Sequence, residues 1–151
     1  MKKLVIVILG FCISIGAVAR PLTESERVAV EKAVREEMKD PDSAKFYHGD
    51  FPYPDNTFIY CGYVNAKNSY GAYTGKQLFA TFVAVNKDKK TVAASFDTNS
   101  QTGAPTEPSV LASICANAGY DLPISKLFFK DVNKNRHKFN IPPLSERYLI
   151  P

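Results

Sequence analysis

The apolar positions of this chain follow a helical period in its first third. Val30, Val34 and Met38 recur at intervals of four residues, which places them on one face of an α-helix. Thr23 and Glu26 stand at the spacing of a capping box at the start of this segment. The pattern predicts an amphipathic helix of about four turns that stops before the following proline.

The period then changes to that of β-strands. An extended segment begins at Phe46, and the segments TFIYCGYVNA, KQLFATFVAVN and KTVAASFD are rich in β-branched and aromatic residues. They predict three antiparallel strands, with a short hairpin at 86–89 and a longer loop at 66–75.

Helical spacing returns in SVLASICANAG, after a loop at 99–108. Gly119 is a natural C-terminal stop for this helix. Its predicted buried face contains Val110, Leu111, Ile114, Cys115 and Ala118. The predicted fold class is therefore α+β, with the N-terminal helix and this second helix packed on a small antiparallel sheet.

Residues 120–151 are predicted to form a basic C-terminal extension of a domain that spans 20–119. One amphipathic helix is expected in it, with an apolar face of Ile124, Leu127, Phe128 and Val132. A basic stripe at every fourth position consists of Lys126, Lys130, Lys134 and Lys138. Such a stripe either contacts an anionic surface or is the solvated face of a helix packed on the domain.

The first 19 residues have the pattern of a secretory signal peptide, in which two lysines precede an apolar run that closes with small residues at Ala17 and Ala19. The alternative is a membrane anchor, but the 16 apolar or small residues of the run fall short of the roughly 20 that span a bilayer. We expect cleavage before Arg20 and a periplasmic or secreted protein.

The mature chain is almost neutral. Cleavage removes two of the 19 basic residues and none of the 15 acidic ones, which leaves 17 against 15 and a net charge of +2. So small an excess gives no argument for binding to nucleic acid. We expect no nucleic-acid partner and no membrane span after cleavage.

Two of the three cysteines remain after cleavage, because Cys12 lies in the leader. Cys61 and Cys115 are expected to form a disulfide in an oxidising compartment. It would fasten the second helix to the sheet and stabilise the fold by roughly 4 kcal/mol on the chain-entropy model. A single catalytic thiol is the alternative, and it requires that each cysteine leave the other unpaired.

The remaining chemistry is sparse. His48 and His137 have no Cys or Glu at ligand spacing, so no metal site is expected. No phosphate-binding, dinucleotide-binding or nucleophile-elbow motif is present in the sequence, and no cofactor is expected. The acidic pairs near the end of the first helix are Glu36/Glu37 and Asp40/Asp42. Their position favours solvated or capping roles over acid-base catalysis.

The loop between the first two long strands has the Tyr, Ser, Gly and Asn composition of recognition loops. Its candidate binding surface comprises Asn65, Lys67, Asn68, Tyr70, Tyr73 and Lys76. The alternative is architectural: the tyrosines cover the sheet edge, while the asparagine amides and the glycines at 71 and 75 shape the turn.

Two motifs, KDPDSAKF at 39–46 and CGYVNAKNSYGAYTGKQLF at 61–79, resemble those of a family of small exported bacterial proteins. Its members pair a DPxSAxF segment with a CGxVNAKNxxGGYxG segment. The family carries no assigned activity, so the resemblance implies export but no functional residue. Ala72 replaces a glycine of the family pattern, which suggests that this position does not require a positive φ, and Lys76 replaces an aromatic residue.

These observations favour an exported, non-catalytic binding module of the bacterial cell envelope, with a protein or envelope component as its partner. One alternative is a small hydrolase acting on wall or envelope material, which needs a cleft with convergent titratable groups near His48 or Asp40/Asp42. Another is an accessory subunit of an envelope-spanning secretion or conjugation assembly.

Overall fold

The computed structural model describes residues 19–53, 58–99 and 102–144. Its elements, in chain order, are α1 (Glu24–Arg35), β1 (Lys45–Tyr47), β2 (Ile59–Asn65), β3 (Gln77–Val85), β4 (Thr91–Ser95), α2 (Pro108–Asn117), α3 (Ile124–Leu127) and α4 (Phe129–Lys138). The predicted α+β class is confirmed. The predicted signal peptide lies outside the described residues except for Ala19. No helix in the described ranges is both long and apolar enough to cross a membrane.

The four strands form one antiparallel sheet in the order β1-β2-β3-β4. The register pairs Phe46 with Val64, Gly62 with Phe79, and Val83 with Ala93. The three predicted strands are β2, β3 and β4, and the extended segment at Phe46 becomes the short edge strand β1. Neighbours in sequence are neighbours in the sheet because short connections favour antiparallel pairing.

The two helices α1 and α2 cover opposite faces of the sheet, because successive strand residues point to opposite sides. One face packs on α1 through Tyr60, Val64, Phe79 and Val83, which meet Val30 and Val34. The other packs on α2 through Cys61, Leu78 and Ala80, which meet Leu111 and Cys115. The predicted disulfide between Cys61 and Cys115 is present on this second face.

The start of α1 has the predicted capping box. The Thr23 side chain accepts a hydrogen bond from Glu26 N, and Glu26 Oε2 accepts one from Thr23 N at 2.8 Å. Arg20 donates two hydrogen bonds to the Glu26 carboxylate, at 2.8 and 2.9 Å, and these lower the Glu26 pKa to about 2. The chain is thereby held to α1 from Arg20 onward.

The helix α1 ends at Arg35, so the expectation that it reaches Met38 is one turn too long. The amides of Glu37 and Met38 donate to Val34 and Arg35 three residues back, at 3.2 and 3.0 Å. This is the tightened bonding of a terminal turn. A 3-10 turn at Pro41–Ser43 then leads into β1.

The helix α2 is buried on two sides rather than one. Leu111 and Cys115 face the sheet, whereas Ala112 and Ala116 pack against Val132 of α4. Val110 is 47% exposed, so its predicted place on the buried face is wrong. The second layer, α4, shifts the buried surface of α2 away from Val110.

The predicted single helix after Gly119 is two helices, because the chain leaves helical geometry at Phe128, where φ is −105° and ψ is 26°. Leu127 is 82% exposed, so its predicted place on an apolar face is wrong, while Val132 is fully buried. The described part of the 120–151 segment packs against α2 through α4.

Candidate binding surface

The loop after β2 is held in shape by its two asparagines. Asn68 Oδ1 accepts hydrogen bonds from Tyr70 N at 2.9 Å and from Ala72 N at 3.1 Å. Asn65 Oδ1 accepts one from Gly75 N at 3.1 Å. The predicted turn-shaping role of both side chains is confirmed, and it means that their oxygens are already engaged within the loop.

Backbone conformation explains the glycines of this loop. Gly71 and Gly75 have φ of +80° and +90°, where a side chain would be strained. Ala72 is not among the residues with positive φ, in line with the expectation that this position does not require glycine. A backbone bridge between Lys67 and Tyr73 closes the loop into a small hairpin.

The two motifs of the sequence are in direct contact. Ser43, from the first motif, accepts a hydrogen bond from Lys67 N at 2.9 Å and donates one to Asp40 O at 2.8 Å. Lys45, also from the first motif, places its ammonium 4.4 Å from the centre of the Tyr73 ring. The turn before β1 therefore supports the loop after β2.

The tyrosines of the loop differ in their surroundings. Tyr70 is 95% exposed at the tip, whereas Tyr73 is 42% exposed. The ammonium groups of Lys45 and Lys67 lie 4.4 and 5.6 Å from the Tyr73 ring centroid. At these distances the lysines attract the ring face, so Tyr73 belongs to a fixed cluster while Tyr70 projects from it.

A second lysine-tyrosine contact lies beside the first. Lys76 Nζ is 4.0 Å from the centre of the Tyr47 ring. Tyr47 lies in β1, two residues after Lys45 and opposite Tyr63 of β2. We call the group formed by Lys45, Tyr47, Lys67, Tyr73 and Lys76 the lysine-tyrosine surface.

No carboxylate of the described residues forms an ion pair with the lysines of this surface. The ion pairs found among the described residues join side chains of α1 to one another, to the adjacent Glu36, to Arg20 or to His48. None involves Lys45, Lys67 or Lys76. Three positive charges are therefore gathered around two tyrosine rings, and none of them forms an ion pair within the described residues.

Sequence reasoning did not include Lys45 and Tyr47 in the candidate surface. The sequence signal for them is the alternation around Phe46, because Lys45 and Tyr47 both have a polar tip and flank one apolar residue in an extended segment. The structure agrees, since Lys45 and Tyr47 are exposed and Phe46 is half-buried. The partner strand was needed to show that they lie beside Tyr73 and Lys76.

The predicted basic stripe is exposed but divided between two helices. Lys126 lies in α3, and Lys130, Lys134 and Lys138 lie in α4. Arg136 of α4 donates a hydrogen bond to Ala116 O at the end of α2, at 3.0 Å. It donates another to Pro142 O in the segment after α4. It holds α4 and the segment after it to the domain.

His48 belongs to a hydrogen-bond network with Tyr60 and Glu31. Its ring nitrogens lie 3.0 Å from the Tyr60 hydroxyl and 3.1 Å from Glu31 Oε1. The Tyr60 hydroxyl also bonds both backbone groups of Gly49 at 3.1 Å, and burial raises the Tyr60 pKa to about 12. The network ties β1 to α1 and β2.

The other groups considered for catalysis or metal binding lie apart from this network. Asp42 is exposed in the turn before β1, and His137 is exposed in α4. Within the residues that the structure describes, no three His, Cys, Asp or Glu side chains are grouped so that they could hold a metal ion.

Comparison with protein families, with curated proteins and with solved structures finds no match to this chain.

Proposed function

We propose that this chain is an exported, non-catalytic binding protein of the bacterial cell envelope, periplasmic or secreted, whose partner is a protein or another envelope component. The observation that carries the proposal is the presentation of Tyr70. Its ring is 95% exposed on a loop whose turn is fixed by Asn65 and Asn68.

A fixed loop with an exposed tyrosine is suited to binding, because little conformational entropy is lost when it is covered. The lysine-tyrosine surface lies on the same loop and on the neighbouring β1. Its uncompensated positive charge favours a partner with an acidic contact surface, since complementary charge increases association rate and specificity.

The proposed location agrees with the disulfide between Cys61 and Cys115, which suits an oxidising compartment. The resemblance to a family of small exported bacterial proteins is part of the same proposal. An accessory role in an envelope-spanning secretion or conjugation assembly is one form that the binding function would take.

The test is to express the protein with its leader, purify the exported form and capture partners from periplasmic extract and culture medium. Captured proteins are identified by mass spectrometry, purified and measured for direct binding to wild type and to Tyr70→Ala. We expect Tyr70→Ala to weaken binding by about 30-fold, as for a hot-spot residue worth about 2 kcal/mol, without a change in unfolding free energy.

Phe139→Ala is the matched control, because Phe139 is an aromatic residue 65% exposed at the end of α4. It should leave binding unchanged. If Tyr70→Ala and Phe139→Ala bind the purified partner equally well, the loop is not the contact site. A Tyr70→Ala variant that unfolds would instead assign the loop an architectural role.

A further inference from the structure

A cavity of about 560 Å³ opens where the end of α1, the start of β3 and the start of α2 meet. Its apolar lining includes Val34, Met38, Leu78, Leu111 and Ile124. This volume and this mainly apolar lining with a few polar groups are typical of sites for small organic ligands.

Two carboxylates, Glu37 and Asp97, line the same cavity. Glu37 is exposed at its mouth and accepts a hydrogen bond from the Thr98 hydroxyl. Asp97 is more buried: its Oδ1 is inaccessible to water and has no hydrogen-bond partner among the described residues, while the Ala80 amide and the Ser95 hydroxyl still favour the ionised carboxylate. A buried carboxylate oxygen without a hydrogen bond is unusual, because the desolvation of its charge is then only partly compensated.

The cavity also has one lysine, but it does not neutralise these carboxylates. Lys76 lines the cavity, while its ammonium lies 4.0 Å from the Tyr47 ring. No ion pair involves Glu37 or Asp97 in the described ranges. Two acidic groups thus share a largely apolar cavity, and neither is paired with a cationic side chain of the described residues.

The ionisation of Asp97 agrees with this geometry. Burial raises the pKa of Asp97 to about 6, the Ala80 amide and the Ser95 side chain oppose the rise, and the charge of Glu37 adds to it. Glu37 and Lys76 are the other titratable groups that line the cavity. At neutral pH, Asp97 is mainly ionised at a site where its charge is unfavourable, so a cation bound there would be stabilised.

We propose that this cavity is a binding site for an organic cation, an alkylammonium group with a short apolar chain. The ammonium group pairs with Asp97 and Glu37, and the alkyl chain contacts the apolar wall formed by Leu78, Leu111 and Ile124. An anion would be repelled by the carboxylates, and a bare metal ion would leave the apolar wall without a contact. The proposal does not depend on the proposed function, because the contacts assigned to the ammonium group and to the alkyl chain involve neither Tyr70 nor the lysine-tyrosine surface.

The same ammonium chemistry is supplied by a free amine or by a lysine side chain of another protein. The test therefore uses n-butylammonium and the blocked peptide acetyl-Gly-Lys-Gly-amide, with butyrate as the anionic analogue. The methyl signals of Leu111 and Ile124 are followed by NMR in the full exported protein at pH 7.5. Both cations are expected to shift these signals, and butyrate is not.

Two variants test the carboxylates. Asp97→Asn keeps the shape of the side chain but removes its charge, and we expect it to weaken binding at least 10-fold. Glu37→Gln should weaken binding less, because Glu37 is at the mouth, and it provides a second test if Asp97→Asn does not fold. Glu36→Gln is the matched control, since Glu36 is exposed and its nearest ion-pair partner is Lys32 at 3.9 Å.

If the peptide binds more tightly than n-butylammonium, the occupant is a lysine side chain of another protein. If n-butylammonium binds more tightly, the occupant is a small amine. Equal shifts with butyrate, no shift with either cation, or unchanged binding by both carboxylate variants would overturn the proposal.

Discussion

Cys61 of β2 is joined by a disulfide to Cys115 of α2, and both residues lie in the core with exposures of 2% and 0%. The bond connects an interior strand of the sheet to the helix that covers one of its faces. Because neither sulfur is accessible, its role is to fasten these two elements rather than to react.

Removal of this bond should destabilise the protein. The disulfide links positions 54 residues apart, and closing a loop of that length contributes roughly 4 kcal/mol on the chain-entropy model. Cys115→Ala and the double variant Cys61→Ala/Cys115→Ala should both lose about this much in denaturant unfolding. Wild type treated with reductant provides the control, and equal midpoints for the oxidised and reduced proteins would contradict the prediction.

Export should leave a mature chain that begins at Arg20. Cleavage there preserves the hydrogen bonds of Arg20 to Glu26 and the paired backbone bonds of Arg20 to Phe51, at 2.8 and 3.1 Å. The intact mass of the exported protein should equal that of residues 20–151 with one disulfide and no alkylatable thiol. A retained leader or two free thiols would show that the processing differs.

Ser43→Ala should loosen the contact between the two motifs. The change removes the oxygen that accepts the hydrogen bond from Lys67 N. A fully buried amide without its partner costs about 1 to 3 kcal/mol, so this part-buried amide should cost about 1 kcal/mol, the lower end of that range. Denaturant unfolding measures the loss, and hydrogen exchange of the Lys67 amide should accelerate.

Ser69→Ala is the control for this loop, because Ser69 is exposed and has no hydrogen bond to another described residue. It should change stability by less than about 0.5 kcal/mol. Equal effects of the two serine variants would mean that the contact between the motifs does not contribute.

Gly119→Ala should destabilise the protein through backbone strain and through a contact that moves the exposed Tyr53 ring. Gly119 has φ of +93°, and an added Cβ would overlap the Tyr53 ring. Strain alone costs about 1 to 3 kcal/mol, and the overlap adds to it. Gly103 has φ of +67° and nothing close to an added Cβ, so Gly103→Ala measures backbone strain without a steric overlap. Gly49 has neither a positive φ nor a close neighbour, so Gly49→Ala is the control for both effects. The unfolding free energies should fall in the order Gly49→Ala, Gly103→Ala, Gly119→Ala.

Asp97 should make stability rise as the pH falls from 7 toward 4. Its pKa of about 6 in the folded protein is above the ordinary value of 3.8, so folding favours the protonated form. The stabilisation is fully present below about pH 3.8 and is lost as the pH rises through 6. As the pH falls from 7 to 4.5, the unfolding free energy of wild type should increase by on the order of 2 kcal/mol relative to that of Asp97→Asn.

Glu26 should change stability in the opposite direction, at lower pH. The lowered pKa of Glu26, about 2, stabilises the fold above the ordinary value of 4.5, and that contribution is lost only as the pH falls below this value. Urea unfolding of wild type and Asp97→Asn across pH 4.5 to 7 therefore separates the two groups. Parallel pH profiles for the two proteins would refute the role of Asp97.

Local sequence was sufficient for the elements whose residues interact with near neighbours in the chain. The capping box of Thr23 and Glu26 uses groups three residues apart, and the asparagine bonds of the loop after β2 span at most ten. The disulfide was also predictable, because Cys61 and Cys115 are the two cysteines outside the predicted leader and occupy core-facing positions of a strand and a helix.

The tertiary structure alone decided which distant residues meet. Val110 and Leu127 are exposed because α4 packs on α2 and the chain turns at Phe128, and neither event has a periodic signal in the sequence. The lysine-tyrosine surface requires β1 to pair with β2, which brings Lys45 beside Tyr73. The meeting of Glu37 with Asp97 likewise depends on how α1 is placed against the end of β4. The period of apolar residues in the sequence indicates which face of a helix or strand is buried. Which other element covers that face depends on packing across the whole domain.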